Sequence, residues 1–109
     1  MNSRSEFSNY ILERLSPLGD ISLGRFFGGT SLKHNGTQFC MIMKNRLYFR
    51  VNKSNLDLYL ERDSTPFSYL TKKGRVYVRS YYEVPADVLD DEDDLLSWAE
   101  KAIADSRKK

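Results

Sequence analysis

The fold is decided by residues 24–51, which read GRFFGGTSLKHNGTQFCMIMKNRLYFRV. Turn signals at Asn35-Gly36 and around Asn45 divide this stretch into short runs rich in apolar residues. The runs are Thr30–Lys33, Thr37–Met43 and Leu47–Val51. Because Asn-Gly is the strongest short signal for a tight turn between neighbouring strands, the stretch predicts an antiparallel meander.

The two faces of these strands differ in composition. Residues 39–43 are apolar on both faces, which suits a central strand covered on both sides, or covered by helices on one side and by a partner on the other. Residues 47–51 alternate apolar positions with Tyr48 and Arg50. That alternation predicts one side of this strand facing water or a partner.

The flanking sequence predicts the elements that cover the sheet. On the N-terminal side the sequence predicts a helix from about Arg4 to Leu15 behind a capping box at Ser3–Glu6, a strand at Ile21–Phe27, and a turn or bulge at Gly28-Gly29. On the C-terminal side it predicts a short helix capped by Ser54 and a hairpin from Pro66 to Tyr82 that turns at Lys72–Arg75. The last predicted helix is long, is capped by Asp90 or Asp91, and has an apolar stripe formed by Leu95, Leu96, Ala99, Ala102 and Ile103. This order predicts a single α+β domain over residues 1–109, with helices on one face of a two-layer fold whose antiparallel sheet has five to six strands.

Bulk composition narrows the class of protein. No apolar run approaches the roughly 20 residues that a membrane helix needs, and no apolar signal core follows Met1. The single cysteine, Cys40, cannot form an intrachain disulfide, which fits a reducing compartment. We therefore expect a cytoplasmic protein that does not enter the membrane.

Charge is unevenly distributed along the chain. Residues 1–82 hold 13 Lys or Arg and 6 Asp or Glu, a net +7, whereas residues 83–109 hold 4 and 9, a net −5. Two solvated surfaces would explain this, and so would a basic face that meets an acidic partner.

Residue types that carry catalysis or bind metals are sparse. His34 lies beside a turn and Cys40 lies within an apolar strand, which favours a solvated histidine and a buried cysteine over a nucleophilic pair. The acidic run at residues 90–94 lacks the glycine and final glutamate of a calcium loop, and helix capping explains it better. We expect no catalytic, metal or cofactor site.

Aromatic and basic residues interleave on the later strands. They are Tyr48, Arg50, Lys53, Tyr69, Lys72, Lys73, Arg75, Tyr77, Arg79 and Tyr81. Proteins that bind single-stranded nucleic acid use such a face, and protein interfaces are enriched in the same residue types. Ordinary surface is a third explanation. The candidate contact residues are Arg50, Lys72, Lys73, Arg75 and Arg79.

Several short motifs, in order, resemble a known family. They are Leu18-Gly19, Arg25-Phe26-Phe27-Gly28-Gly29, Phe39, Leu47-Tyr48-Phe49-Arg50, Pro66-Phe67-Ser68-Tyr69, Tyr81-Tyr82-Glu83-Val84-Pro85, Leu95 and Trp98-Ala99. Their spacing over about residues 7 to 103 is similar to that of the N-terminal domain of the TfoX (Sxy) proteins, regulators of natural competence in bacteria. The motif positions taken from the resemblance are Arg25, Phe27, Gly28, Gly29, Tyr48, Arg50, Pro66, Tyr81, Tyr82 and Pro85.

The resemblance implies a two-layer α+β domain of cytoplasmic bacterial proteins that is not an enzyme and has no cofactor. Longer members carry a C-terminal helical domain and activate competence genes, and hence DNA transformation, together with the cyclic-AMP receptor protein. We expect no such second domain within residues 1–109. The glycines Gly28 and Gly29 would serve backbone geometry, and Arg25 would pair with a carboxylate.

The expected function is a regulatory module that binds a protein, either the transcription machinery or one of its regulators, through a sheet face or an open strand edge. The alternative is nucleic-acid binding through the basic residues. An enzyme that uses Cys40 or the acidic run is a third hypothesis. A homodimer through an open strand edge is compatible with each of them.

Overall fold

The computed structural model describes residues 6–26 and 28–106. In chain order the elements are α1 (Glu6–Leu15), β1 (Ile21–Phe26), β2 (Gly29–His34), β3 (Thr37–Met43), β4 (Arg46–Arg50), α2 (Leu56–Leu60), β5 (Pro66–Thr71), β6 (Gly74–Glu83), α3 (Ala86–Asp90) and α4 (Glu92–Ser106), with a single 3-10 turn at Ser16–Leu18 after α1. The predicted α+β class and the order of the elements are confirmed.

The strands form one antiparallel sheet in the order β1-β2-β3-β4-β6-β5. The predicted meander is its centre. Asn35 and Gly36 have φ values of 50° and 85°, and Lys44 and Asn45 have values of 51° and 62°. Both turns therefore place two residues in the left-handed region, the backbone that matches the twist of a tight hairpin.

One face of the sheet carries the main core. Ile11 and Leu15 of α1 and Leu95 and Ala99 of α4 are fully buried against strand residues. The strand residues of this core include Leu32, Phe39, Cys40, Ile42, Leu47, Phe49 and Tyr82. The predicted apolar stripe of the last helix is thus confirmed, except that Leu96 is half-buried at the edge of the core.

The opposite face of the sheet carries a second, smaller apolar cluster. Its buried members are Met41, Tyr48, Phe67 and Tyr81, with Phe26, Met43 and Val78 packed around them. The prediction that this side of β4 faces water or a partner is therefore wrong at Tyr48, which is 9% exposed. Arg50, on the same side of β4, is exposed as expected.

A bend in β6 explains why Tyr48 is buried. The β5–β6 register jumps from Pro66 opposite Tyr82 to Phe67 opposite Val78, so β6 holds extra residues that β5 lacks. Such a bulge bends a strand and increases its twist. The bend carries Phe67 over the sheet until its ring meets the Tyr48 ring edge-on, with centroids 5.4 Å apart.

The helix ends differ in part from the prediction. Asp91 caps α4 as expected, since its Oδ1 accepts a bond from the Asp94 N–H at 3.0 Å. Ser54 does not cap α2, because its N–H and hydroxyl both donate to the Asn52 side chain and the helix begins one residue after Asn55. The short helix α3 was not predicted, and the predicted capping box at Ser3 lies outside the described residues.

Candidate functional site

The outer part of the β5–β6 hairpin, residues 67–78, is called here the hairpin arm. Its two strands pair with each other from Phe67 opposite Val78 to Thr71 opposite Gly74. Beyond the second cluster, the arm leaves large side chains in solvent. Leu70 is 72% exposed and Tyr77 is 53% exposed.

Strand alternation sorts the exposed side chains of the arm into two sides. Ser68 and Leu70 share one side with their cross-strand partners Tyr77 and Arg75. The opposite side continues the second cluster outward from Phe67, and carries the exposed side chains of Tyr69 and Val76. Both sides of the arm therefore present apolar surface to solvent, where the fold itself does not use it.

A groove of about 780 Å³ runs between β5 and the β3–β4 turn, and is called here the edge groove. Its apolar lining comes from Met43, Tyr48, Pro66, Phe67, Tyr69 and Leu70. Its polar and charged lining comes from Lys44, Arg46, Thr65, Ser68, Arg75 and Glu83. A depression of this volume with apolar walls and a few charges is suited to a ligand that combines apolar and charged groups, such as a chain segment.

The charges in the edge groove are partly neutralised. Arg46 Nη1 lies 3.0 Å from Glu83 Oε1 and 3.3 Å from Oε2, so one guanidinium nitrogen contacts both carboxylate oxygens. Within the described residues, no carboxylate lies within ion-pair distance of Lys44 or Arg75. Burial raises the pKa of Tyr48, and Glu83 raises it further while Arg46 acts in the opposite direction. The groove therefore keeps a surplus of positive charge.

Four of the five predicted contact residues lie on the β5–β6 hairpin. Lys72 and Lys73 form its turn, Arg75 Nη1 donates to Ser68 Oγ at 2.9 Å, and the Arg79 guanidinium lies 5.6 Å from the centre of the Tyr77 ring. From residue 66 to residue 82 the sequence holds these four cations and no carboxylate. The hairpin is therefore a single basic element.

Arg50 is the fifth predicted contact residue, and it lies in the body of the sheet opposite Tyr81. Burial raises the pKa of Tyr81, and the nearby Arg50 and Gln38 side chains act against that rise. Tyr48 and Tyr81 are both buried, so neither ring can stack on a base. The expected row of stacking aromatics is therefore wrong at these two positions, because the bend in β6 covers them.

The glycines of the family motif have distinct structural reasons. Gly28 has a φ of 82°, which residues with a Cβ rarely adopt. A Cβ on Gly29 would collide with the Ile42 carbonyl oxygen and with Met43 Sδ. Phe27 lies outside the described residues. The Arg25 side chain is exposed, and none of the ion pairs among the described side chains includes it, so its pairing with a carboxylate stays a prediction.

The remaining motif residues define the ends and the packing of elements. Tyr82 lies on the helix side, where its ring centre is 5.9 Å from that of Tyr59. Pro66 is the first residue of β5 and Pro85 immediately precedes α3. Proline is tolerated at both kinds of position, because its missing N–H is not needed there.

The residues that sequence analysis considered for catalysis lie in unreactive surroundings. Cys40 is fully buried, and burial raises the pKa of its thiol well above the ordinary value. His34 is half-buried rather than solvated, with its Nε2 3.3 Å from the Leu18 carbonyl oxygen. The described part of the chain contains no group of three or more potential metal-ligating side chains.

The edge groove was not predicted from the sequence. The sequence predicts strand positions for Met43 and Phe67, and both residues lie in strands. The groove depends on the bend in β6. The sequence around that bend, including Arg79 and Ser80, contains no Gly or Pro that would indicate a bulge. The basic turn at Lys72-Lys73, two residues after Leu70, is the one sequence signal that this end of the strand lies in solvent.

Comparison with known proteins identifies the family. Across residues 6–26 and 28–106, no helix combines the length and apolar character needed to cross a bilayer. No curated protein matches the chain. The family model described as the TfoX N-terminal domain matches residues 13–106, which is most of the chain. The match and the two-layer α+β fold agree, and the chain belongs to the TfoX N-terminal domain family.

Proposed function

We propose that this domain is a non-enzymatic module of the bacterial cytoplasm that binds a protein, namely a component of the transcription machinery or one of its regulators. On the basis of its resemblance to the TfoX (Sxy) proteins, the proposed activity belongs to the control of competence and DNA transformation. The observation that carries the proposal is the hairpin arm, whose Leu70 and Tyr77 side chains are largely exposed.

The composition of the arm favours a protein partner. Tyrosine and arginine are enriched among the residues that dominate binding energy at protein interfaces. The arm offers Tyr69, Arg75 and Tyr77 on one hydrogen-bonded pair of strands. Aromatic rings lose little conformational entropy on binding, so such a surface binds at low cost.

The buried positions of Cys40 and Tyr81 support a role without catalysis. Both groups have a raised pKa, which disfavours their reactive anionic forms at neutral pH. Among the charged groups that line the groove, Arg46 and Glu83 pair with each other. These features are those expected of a binding surface.

Site-specific photo-cross-linking in cells tests the proposal. A benzophenone amino acid at Tyr77 samples the exposed side of the arm, and the same group at Lys101 samples the exposed side of α4 as a control. We expect a discrete adduct from position 77 alone, with a transcription protein identified in it by mass spectrometry. The adduct should disappear when Leu70→Asp is added.

Equal cross-linking from both positions, or an adduct that persists in Leu70→Asp, would contradict the proposal. Circular dichroism of the Leu70→Asp variant should match the wild type, because the side chain is 72% exposed and supports no core contact. Loss of the adduct then reports on the surface and not on folding.

Nucleic-acid binding is the second candidate, favoured by the four cations and no carboxylate between residues 66 and 82. It predicts anisotropy changes with labelled single-stranded and duplex DNA that weaken steeply as salt is raised, because bound counterions are released. Lys72→Ala with Lys73→Ala should weaken binding equally for all sequences. Lack of binding even at low salt would exclude this candidate.

A further inference from the structure

We propose that the partner of this surface binds as an extended acidic segment, which adds a strand to the open edge of β5 and places its side chains in the edge groove. This inference depends on the proposed function, since it names the form and chemistry of the protein partner. A general interaction surface would not require backbone hydrogen bonds, whereas an added strand forms them with particular residues of β5.

The backbone of β5 is available for pairing on one side. In the described part of the chain β5 is the last strand of the sheet and pairs with β6 alone. Antiparallel pairs alternate, and the tight turn at Lys72-Lys73 closes on the pair Thr71 and Gly74. Thr71, Tyr69 and Phe67 therefore form their backbone bonds with β6. The residues between them, Ser68 and Leu70, direct their N–H and C=O groups to the open edge.

Beyond Pro66, this edge lacks the usual protection against pairing. Natural edge strands are blunted by charged residues, prolines or bulges. The opposite edge strand, β1, carries Arg25 and Gly24. In β5, however, the sequence after Pro66 is Phe67-Ser68-Tyr69-Leu70-Thr71, with high strand propensity and no charge.

The edge groove gives an added strand places for its side chains. The groove lies beside β5, and its walls include Met43, Phe67 and Tyr69. When a peptide adds a strand to a sheet, main-chain bonds supply affinity and pockets for alternate side chains supply specificity. Apolar side chains of the added segment would contact this wall.

The positive charge of the groove indicates that the added segment is acidic. Lys44 and Arg75 line the groove without a carboxylate within ion-pair distance among the described residues, and Lys72 and Lys73 form the turn at the end of β5. Complementary charges across an interface steer association and fix register. A segment in which Asp or Glu alternates with apolar residues would match both the apolar wall and the cations of the groove.

A second copy of this chain is a poorer occupant. The two open edges belong to β1 and β5, and neither strand contains Asp or Glu. Pairing β5 with β5 would bring together two hairpins that each hold four cations and no carboxylate. Like charges placed opposite each other are destabilising, so the charge pattern selects a foreign acidic strand.

Amide hydrogen exchange measured by NMR tests the backbone claim directly. The probe is a capped decapeptide of alternating Val and Glu, and the control peptide has Lys in place of Glu. In the unliganded domain the Ser68 and Leu70 amides should exchange quickly. With the acidic peptide at saturation both should slow by about tenfold or more, while the Tyr69 amide, already bonded to β6, changes little. The Lys peptide should bind at least about tenfold more weakly.

A matched pair of variants separates backbone from side chain. Leu70→Pro removes one outward N–H, whereas Leu70→Ala removes the same side chain and keeps the N–H. We expect Leu70→Pro to weaken the acidic peptide by about tenfold or more and Leu70→Ala to weaken it by less than about threefold. The exchange result on the wild type decides the matter if Leu70→Pro disturbs the hairpin.

Three outcomes would overturn the inference: unprotected Ser68 and Leu70 amides, equal affinity for the two peptides, or preferred binding of duplex DNA over the acidic peptide. Protection in the absence of peptide, together with a dimer in sedimentation velocity, would assign the edge to a second copy instead. A cross-linked protein at Tyr77 without protection of Ser68 and Leu70 would leave the proposed function standing and remove this inference alone.

Discussion

Gly29 lies where β2 approaches β3 so closely that a side chain has no room. A Cβ there would collide with the Ile42 carbonyl oxygen and with Met43 Sδ, and a backbone oxygen cannot move aside cheaply. We expect Gly29→Ala to lower the free energy of unfolding by about 2 kcal/mol, the usual cost of overpacking. Urea denaturation of the two proteins measures this difference.

Gly24→Ala is the matched control for Gly29→Ala on the neighbouring strand. There the added Cβ would meet the Ser31 Oγ at 2.9 Å, and that hydroxyl can rotate away. The alanine also restricts the unfolded chain, which offsets part of the cost. A loss in Gly24→Ala as large as that in Gly29→Ala would show that backbone conformation, and not the close approach to β3, decides both.

Tyr48 links stability to alkaline pH. Burial raises the pKa of its hydroxyl in the folded state, and the nearby Glu83 raises it further. The folded protein therefore holds this proton more tightly than the unfolded chain, so the contribution is fully present below the unfolded pKa, about 10, and is lost as the pH rises above it. We expect Tyr48→Phe to lose less stability than the wild type between neutral and strongly alkaline pH, as measured by urea denaturation.

Tyr77→Phe is the control for that measurement, since its ring is 53% exposed. This variant should follow the wild type across the same pH range. If Tyr48→Phe follows the wild type as well, the Tyr48 hydroxyl does not contribute to the alkaline loss, and Tyr81 is the next group to substitute, because burial raises its pKa too.

Single residues show which features the sequence could disclose. Paired glycines at positions 28 and 29 correctly marked a special backbone, and the two positions need glycine for different reasons that only the coordinates separate. Burial of Cys40 followed from its apolar neighbours. Alternation along β4 predicts that Tyr48 faces water or a partner. It contains no information about β5, whose Phe67 covers the Tyr48 ring.

At the scale of elements, the start of α4 depends on one side chain. Asp91 Oδ1 accepts the Asp94 N–H at 3.0 Å and satisfies a donor that the helix leaves open. We expect Asp91→Ala to lower the free energy of unfolding by about 1 kcal/mol in thermal or urea denaturation. Since α4 buries Leu95 and Ala99 in the main core, the whole domain should report the loss.

Asp93→Ala separates the cap from the charge. Asp93 lies in the first turn of α4, so its removal takes away one favourable charge at the helix N-terminus while alanine improves helix propensity. These effects nearly cancel, and stability should change little. Equal losses in the two variants would mean that charge near the helix end, and not the bond to Asp94, stabilises α4.

Elements with local signals were predictable, and those set by distant contacts were not. The predicted turns at Asn35-Gly36 and Lys72–Arg75 contain Asn35, Gly36 and Gly74, residue types that favour tight turns, and both hairpins are present. The N-terminus of α2 was misplaced because Asn52 offers Ser54 a competing bond. The bulge near Ser80 has no local signal, and the edge groove that depends on it was therefore missed.

The whole molecule consists of a well-covered body and an exposed arm. Helices cover one face of the sheet, and the bend of β6 covers the centre of the other face with Phe67 and Tyr81. From Phe67 and Val78 out to the turn, the hairpin arm has only its own two strands to stabilise it. Isolated two-stranded ribbons are only marginally stable in water. A partner strand on β5 would give the arm the third strand that it lacks.

The body is expected to open only as a unit, and Cys40 can report that opening. Cys40 is fully buried in the centre of the sheet, between Leu32 of β2 and Phe49 of β4. A thiol reagent can reach it only when both neighbouring strands separate and the helices above them leave. The labelling rate should therefore follow global unfolding and be insensitive to motion of the hairpin arm.

We expect a thiol reagent to modify folded wild-type protein about a thousandfold or more slowly than urea-unfolded protein, given the usual stability of a domain this size. Adding urea below the transition should accelerate labelling with the slope of the equilibrium unfolding curve. Leu70→Cys in a Cys40→Ala background is the control, and it should react at once because position 70 is 72% exposed. Rapid modification of Cys40 without urea would show that the sheet opens locally between β2 and β4, and it would restore the thiol as a candidate reactive group.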